Sequence, residues 1–565
     1  MKTPWTDNVN RELPLPEYPR PQLARRGWMN LNGVWNYAIN KSERFPKEFD
    51  GEIVVPFSPE TELSGVGRSL KKGEYLWYCR ELHIPEEFHG KRVILHFGAV
   101  DQIATVWVNS NKVAQHVGGY LPFEAEITDA IEDDGFVRIM VRVTDESDSS
   151  YHSRGKQKTK RGGIWYTPQS GIWQTVWMEA VPESYVKSLR ITPDFDNASV
   201  EISAEVDGEA EACAEFGGCS YPLPAVIPVP DFVAWTPDNP KLYGFQVRCG
   251  EDLVQSYFAM RKFSVDEDEK GVKRLFLNNE PCFHNGLLDQ GYWPDGLYTA
   301  PTDEALIYDI KMAKAMGFNM LRKHIKVEPL RWYYHCDRLG MLVWQDMING
   351  GGKYNIPTIS GPLVTGIHIS DKLYFLFARS SKEGRAQYRR ELIDMVKHLY
   401  NCPCIALWVP FNEGWGQFDA EEMHDLVLSM DKTRTVDHAS GWHDQKIGQV
   451  RSDHVYFRKY KFKRDKKGRA VLLSEFGGYN HRVQGHCFNK KDFGYKKFET
   501  PAQLEFALEN LYKNEILPAK KLGLAATVYT QLSDVEDELN GVLTYDRKVA
   551  KIAPEIMREI VDVGK

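Results

Sequence analysis

From about residue 264 the chain changes period. Short apolar strands begin to alternate with longer amphipathic stretches, the pattern of strand–helix–strand units with parallel strands. Phe283–Leu288 reads as a first strand. Thr302 can cap a helix whose first turn holds Asp303 and Glu304, whose apolar face is Leu306, Ile310 and Ala313, and which Gly317 ends. Asn319–Arg322 reads as a second strand, Pro329 to Leu339 as a helix stopped by Gly340, and Met341–Asp346 as a third strand. Tyr388–Tyr400 is a predicted helix and Ile405–Phe411 strand four. Thr435–His438, His454–Phe457, Val471–Ser474 and Ala525–Thr530 supply the rest. Eight strands with crossovers in roughly 300 residues is what a TIM barrel requires. A doubly wound open sheet is the structural alternative.

Upstream the reading is all β. Runs such as Val93–Phe97 and Thr105–Val108 are short and branched or aromatic, and are punctuated by Asn109-Ser110-Asn111, Gly118-Gly119 and Leu121-Pro122. Residues 1–182 therefore suit a jelly-roll sandwich. Residues 183–263, with near-alternating stretches at Ala198–Val206 and Phe245–Arg248, suit a small immunoglobulin-like sandwich, with Tyr221–Asp231 as a Pro-rich loop. The barrel takes 264–565.

A formal net charge of −7 argues against a polyanionic partner, so no nucleic acid is expected. No apolar run follows Met1 to Trp5 and no stretch is long enough to span a bilayer. The nine cysteines are scattered, and the Cys402/Cys404 spacing makes no zinc half-site. The expectation is a cytoplasmic protein with reduced thiols.

Two glutamates end apolar strands. Glu413 closes strand four within Trp408–Gln417, and Glu475 closes strand seven within Val471–Gly478. A stray carboxylate after such runs is costly to bury, and the functional groups of a barrel gather at the C-terminal ends of its strands. Gly414, Gly477 and Gly478 let a backbone or ligand approach closely. Each Glu taken singly can equally cap a helix or pair with an arginine. Together they match one chemistry. Glycoside hydrolysis with retention needs two carboxyls about 5–5.5 Å apart, one to protonate the leaving oxygen and one to attack the anomeric carbon. That makes Glu413 and Glu475 the candidate catalytic pair, with Asn412 able to hydrogen-bond a sugar 2-OH.

With these residues in view the chain resembles glycoside hydrolase family 2, which includes β-galactosidases, β-glucuronidases and β-mannosidases. The resemblance runs through Phe97–Asp101, Val106–Asn109 and Gly118–Phe123 in the first domain, and through Ser170–Gln174 and Trp235–Tyr243. It ends in Asn412–Trp415, which matches the family's acid/base motif and implies Glu413 as acid/base, and in Ser474-Glu475, which implies Glu475 as nucleophile. It implies that Arg322 pairs with the nucleophile and keeps it ionised, and that His324 contacts substrate hydroxyls. It also implies that Tyr456, beside His454, donates to the nucleophile, and that Tyr529 lies under the sugar as a platform. Asp289, Gln290 and Trp293 after strand one, and Trp165 from the jelly roll, are further candidate pocket residues.

The departures bear on substrate. Thr175 stands where the large β-galactosidases carry a sugar- and sodium-binding Asp. Trp344–Ile348 offers no Glu/His pair for magnesium, and Asp346 alone makes no such site. No metal and no cofactor are expected. Glu538-Leu539-Asn540 replaces the Asn-x-Lys by which glucuronidases hold a uronate. Basic loops at Arg458–Arg469, His481-Arg482 and Lys490-Lys491 leave the active face, and either attract an anionic sugar or are solvated. The Gly-rich Asn349–Ser380 reads as a wall or lid that restricts the enzyme to terminal sugars. The leading expectation is a retaining exo-β-glycosidase, most like a β-galactosidase. A β-hexuronidase (galacturonide or glucuronide) is the alternative, an α-L-arabinoside the third substrate, and a non-catalytic carbohydrate-binding protein the reading from another class. A small glycoside or oligosaccharide is the expected partner, with neither nucleic acid nor membrane, and a homo-oligomer is possible.

Overall fold

Along Phe136–Thr144, Val137, Ile139, Val141 and Val143 are fully buried while Arg138 and Arg142 lie on the other face. This period of two makes half-buried antiparallel strands. The computed structural model describes residues 1–562, less the side chains of 363 and 364. Its first unit is a pair of antiparallel sheets. One runs Trp28–Asn30, Val176–Val181, Arg92–Phe97, Phe123–Glu126. The other runs Gly51–Val55, Gly33–Asn40, Tyr75–His83, Phe136–Thr144, Ile103–Val108, Asn111–Val117. Leu31, Trp35, Leu95, Phe97 and Ile139 belong to the core between them.

A second, smaller sandwich follows. A sheet of Tyr185–Asp194, Ser199–Asp207 and Ala225–Pro228 shares a core with a sheet of Cys219–Pro222, Ala212–Phe216, Tyr243–Cys249 and Asp252–Phe258. The stretch expected as a Pro-rich loop thus contributes the end of Cys219–Pro222 and all of Ala225–Pro228 to two sheets. Pro222 and Pro228 stand at strand ends, where the missing N–H breaks no ladder.

The last unit is the barrel. Its strands are β1 (His284–Asp289), β2 (Met320–Lys323), β3 (Leu342–Asp346), β4 (Ile405–Val409), β5 (Thr435–Val436), β6 (Val450–Val455), β7 (Ala470–Gly477) and β8 (Leu524–Thr530). They form one parallel sheet in the order β5-β4-β3-β2-β1-β8-β7-β6, the cyclic order of an eight-stranded barrel with the β5–β6 seam as its two ends. An open doubly wound sheet does not have this order. Thr302 caps its helix by accepting Ala305 N–H, and Gly340 ends the next one at φ +72°.

Three elements differ from expectation. β6 begins at Val450 rather than His454, because the alternation Val450, Ser452, His454 places polar residues inside the barrel. The helix expected from Tyr388 begins at Lys382, capped by Ser381, since its first turns carry few apolar residues. The long segment after β3 contains a ten-residue helix, Ile356–Thr365.

The first sandwich and the barrel share one hydrophobic cluster through Tyr120, Tyr166, Trp173, Tyr292 and Tyr298. Buried Arg25 joins the two sandwiches, donating to Asp252 at 2.9 Å and to Glu179 at 3.0 Å. These contacts set a first-sandwich loop, residues 150–170, over the C-terminal mouth of the barrel, where Arg154 and Gly155 N–H both donate to Asn349 C=O. Among the described residues, no helix is long and apolar enough to cross a membrane.

Candidate active site

Arg322, at the C-terminal end of β2, is wholly buried and organises the mouth. Its Nε donates to Asp346 Oδ1 (2.9 Å) at the end of β3 and its Nη2 to Asn412 Oδ1 (2.9 Å) after β4. Its Nη1 donates to Ser474 C=O (3.0 Å) and Glu475 Oε1 (3.2 Å) on β7. One rigid guanidinium thus fixes the ends of four strands, which a flexible ammonium cannot do. With Asn412 Oδ1 occupied, its amide N–H is the group left for a ligand.

Glu413 is reached by a sharp reversal of the chain. Its φ is +51° and that of Gly414 +73°, both in the left-handed region that favours glycine. Gly414 accepts it freely, whereas Glu413 bears the strain and is locked by its N–H to Ser440 C=O (2.9 Å). Glu413 Oε1 lies 2.7 Å from His454 Nδ1, and Oε2 accepts Trp415 Nε1–H at 3.2 Å. Burial pushes the Glu413 carboxyl up, but the hydrogen bond and charge of His454, with Lys156 nearby, outweigh it and leave the carboxyl below its usual range.

Glu475 accepts from Arg322 on one oxygen and from the Tyr456 hydroxyl on the other. Tyr456 also lies 3.0 Å from Thr530 Oγ1, and its ring stacks on Tyr495 at 3.9 Å and 10°. Burial, followed by the charge of Glu475, holds its phenol well above the usual value, so it donates. An oxygen of Glu413, an oxygen of Glu475 and a ring nitrogen of His454 lie within 4.8 Å of one another. That trio has metal-ligand residue types, but Arg322, Tyr456 and Trp415 already bond the carboxylates, and a guanidinium on Glu475 opposes a second cation.

His324 Nδ1 is 2.8 Å from Asp346 Oδ2, and burial keeps the ring well below its usual pKa, hence neutral. Nδ1–H donates to Asp346, and Nε2 is left as an acceptor toward the mouth. Trp165 packs edge-on against Trp415 at 5.1 Å and stacks on Tyr354 at 5.9 Å. This aromatic wall joins the sandwich loop, the segment after β3 and the Trp that holds Glu413.

The structure brings together Glu413, Glu475, Arg322, Asn412, His324, His454, Tyr456 and Trp165. Four other candidates are placed differently. Tyr529 is turned away from the mouth, its hydroxyl accepting Tyr479 N–H and its ring edge-on to Phe476, so no sugar platform forms there. The residue reaching the site from β8 is Thr530. Asp289 is bound to Lys323 Nζ at 2.7 Å within a buried ionic cluster. Trp293 packs under the Arg547 guanidinium, 4.2 Å from its ring centroid, against Trp5. Gln290 is buried, and both its amide atoms lack partners among the described residues.

Several site residues carry no sequence signal of their own. Trp415 lay inside the Asn-Glu motif and Asp346 at a strand end, but Tyr495, Tyr354 and Lys156 sit in loops whose folding back is not encoded in any local period. Lys156 makes no ion pair among the described residues, lies against Tyr166, and is close enough for its charge to act on Glu413 and His324. The expected basic loops are partly consumed: Arg469 pairs with Asp444 and Asp465, and Arg482 donates to Asn489 C=O. Glu538, in the place of a uronate grip, is buried and accepts the Tyr166 hydroxyl and Asn540 amide.

Two family models match the chain: glycosyl hydrolases family 2, sugar binding domain, over residues 70–182, and glycosyl hydrolases family 2, TIM barrel domain, over 273–519. The chain is 24% identical over 445 residues to a β-galactosidase of Thermoanaerobacter pseudethanolicus, covering 72% of this chain and 55% of that one. It is 24% identical over 464 residues to a β-glucuronidase of Bacteroides fragilis, covering 74% and 61%. The chain thus spans about three fifths or less of these curated relatives. A solved β-galacturonidase from Eisenbergiella tayi bound to galacturonate superposes with a TM-score of 0.72 at 17% identity, covering 96% of this chain and 99% of that one. This is a likeness of fold.

Proposed function

The chain belongs to the family 2 glycosyl hydrolases, and from that premise we propose that it is a retaining exo-β-glycosidase with Glu475 as nucleophile and Glu413 as acid/base. One observation carries the reading. Carboxylate oxygens from the ends of β4 and β7 lie within 4.8 Å of each other. Inverting enzymes keep their carboxyls about 6.5–9.5 Å apart to admit a water between them, and retaining enzymes about 5–5.5 Å.

In the first step Glu475 attacks C1 while Glu413 protonates the departing oxygen. In the second, Glu413 takes a proton from water as that water attacks C1 and Glu475 leaves as a carboxylate. The Asn412 amide is directed at the 2-OH, and the wall of Trp165, Tyr354 and Trp415 favours a terminal sugar. Among sugars, a neutral β-galactoside comes first. Glu538 puts negative charge where a uronate grip would be basic, and its hydrogen bonds to Tyr166 and Asn540 hold it there.

A β-hexuronidase is the second reading, favoured by Lys156, an ammonium beside the site without an ion partner among the described residues. The test is initial hydrolysis of matched aryl β-galactoside and β-galacturonide, with Glu475→Gln as blank and the first-formed anomer read by NMR. A β-anomeric first product and a faster galactoside are expected. A first product of α configuration ends the retaining mechanism. A faster galacturonide that Lys156→Met reverses replaces the galactoside reading with the uronide.

A further inference from the structure

His454 stands between the two carboxyls rather than beside one of them. Its Nδ1 is 2.7 Å from Glu413 Oε1 and 3.6 Å from Glu475 Oε2, and its Nε2 is 3.1 Å from Ser440 Oγ. A chain of hydroxyls fixes the hydrogens on this ring. Ser474 Oγ donates to Asp453 C=O at 3.5 Å, and Ser440 Oγ donates to Ser474 Oγ at 2.9 Å. The Ser440 hydroxyl hydrogen is thereby directed at Ser474 and its oxygen is left to accept, so Nε2 of His454 carries a hydrogen. A neutral His454 then offers only the lone pair of Nδ1 to Glu413, and the 2.7 Å contact is a hydrogen bond only if Glu413 is protonated. A cationic His454 offers N–H to a Glu413 carboxylate. Both arrangements hold one proton along the same line.

We infer that His454 is a positioning residue that sets where the catalytic proton of Glu413 rests, the relay through Ser440 and Ser474 fixing the tautomer through which it acts. The inference rests on the retaining-glycosidase reading. The ring is held in place from its other side by Gly441, where a Cβ would come within 2.5 Å of it. The charged groups around the ring are mostly acidic. Glu475, Asp346 and Asp437 approach from β7, β3 and the end of β5, and Asp453 precedes the ring on β6. Arg322 and Lys156 are the opposing cations, while neutral His324 and the phenol of Tyr456 add no charge. The carboxylates outnumber the cations.

In the glycosylation step the proton moves from Glu413 to the glycosidic oxygen as the C1–O bond breaks and the Glu475–C1 bond forms, so the aglycone leaves as a neutral alcohol. In deglycosylation the water that attacks C1 returns a proton to the Glu413–His454 pair as Glu475 departs. Without the imidazole, the hydrogen bond and charge that hold Glu413 below its usual range are lost, and burial keeps its carboxyl protonated to higher pH.

The test is the pH profile of kcat/KM for wild type, His454→Asn and the milder Ser440→Ala, on phenyl and 2,4-dinitrophenyl glycosides of the sugar the wild type cleaves fastest. Asparagine still donates to Glu413 but cannot take up the proton. On the phenyl glycoside, which needs acid catalysis, the alkaline limb is expected to rise by about one pH unit in His454→Asn. A smaller rise is expected in Ser440→Ala. On the dinitrophenyl glycoside, whose leaving group needs no proton, the limb stays. An active wild type whose variants lose activity uniformly at every pH, or shift equally on both substrates, overturns the role of His454 alone. A wild type that cleaves no aryl β-glycoside overturns the underlying reading and this one with it.

Discussion

Replacing Tyr456 by Phe removes one oxygen from the site and little else. The ring keeps its stack on Tyr495 at 3.9 Å, while Glu475 loses the phenol that donates to it and keeps Arg322 on its other oxygen. A hydrogen bond to a charged group is worth about 1.5–3 kcal/mol. At about 1.4 kcal/mol per factor of ten, this is about 10- to 150-fold in rate. The two chemical steps should not share the loss. In glycosylation the phenol already bonds a full carboxylate in the free enzyme, and the bond weakens as the charge passes into the new C1–O bond. In deglycosylation the carboxylate is the leaving group, and the bond strengthens as the charge returns. Tyr456→Phe should therefore slow the second step, so that glycosyl-enzyme accumulates. Stopped-flow release of an activated aryl leaving group should show a larger burst than the wild type, with kcat reduced by up to the factor above and kcat/KM much less. Equal losses in kcat and kcat/KM without a larger burst would refute the reasoning and place the phenol in the first transition state. An unchanged kcat would mean the bond to Glu475 does nothing in either step.

Glu413→Gln should cut kcat/KM by about 10²–10⁴ on a phenyl glycoside yet spare a dinitrophenyl one, read as a change in leaving-group dependence. Arg25→Met leaves Glu179 and Asp252 buried with less compensation, and should cost about 3–5 kcal/mol in urea unfolding, with the two sandwiches losing cooperativity. Burial raises Asp431, but Arg434 at 2.7 Å, followed by the hydrogen bond from Trp408, brings it to about 2, below its ordinary 3.8. A depressed carboxylate contributes stability that is complete above its unfolded value and is lost as pH falls through the folded one. Asp431 therefore gives up about 1 kcal/mol between pH 5 and pH 3. Asp431→Asn, less stable throughout, should lose that much less over the same interval when urea midpoints are compared.

What the sequence displays is what a local period can carry. The barrel follows from strand and helix repeats, and Glu413 and Glu475 follow from being charged residues at the ends of apolar strands. Arg322 and Tyr456 become visible once those ends are known to converge. The rest of the site depends on distances in three dimensions that no period encodes. Tyr529 and Thr530 illustrate the limit: successive residues of a strand point to opposite faces, so a one-residue question of register decides which reaches Tyr456. The strand containing His454 begins four residues before its expected start, and its inward residues Ser452 and His454 are polar. That polarity is itself informative. A barrel interior admits a hydroxyl and an imidazole only where partners satisfy them, and here Ser452 bonds Asp437 while His454 bonds Glu413 and Ser440. Where the hydrophobic pattern of a barrel strand fails, the polar residues responsible point toward the chemistry, and at β6 they lead to the proton held between Glu413 and His454.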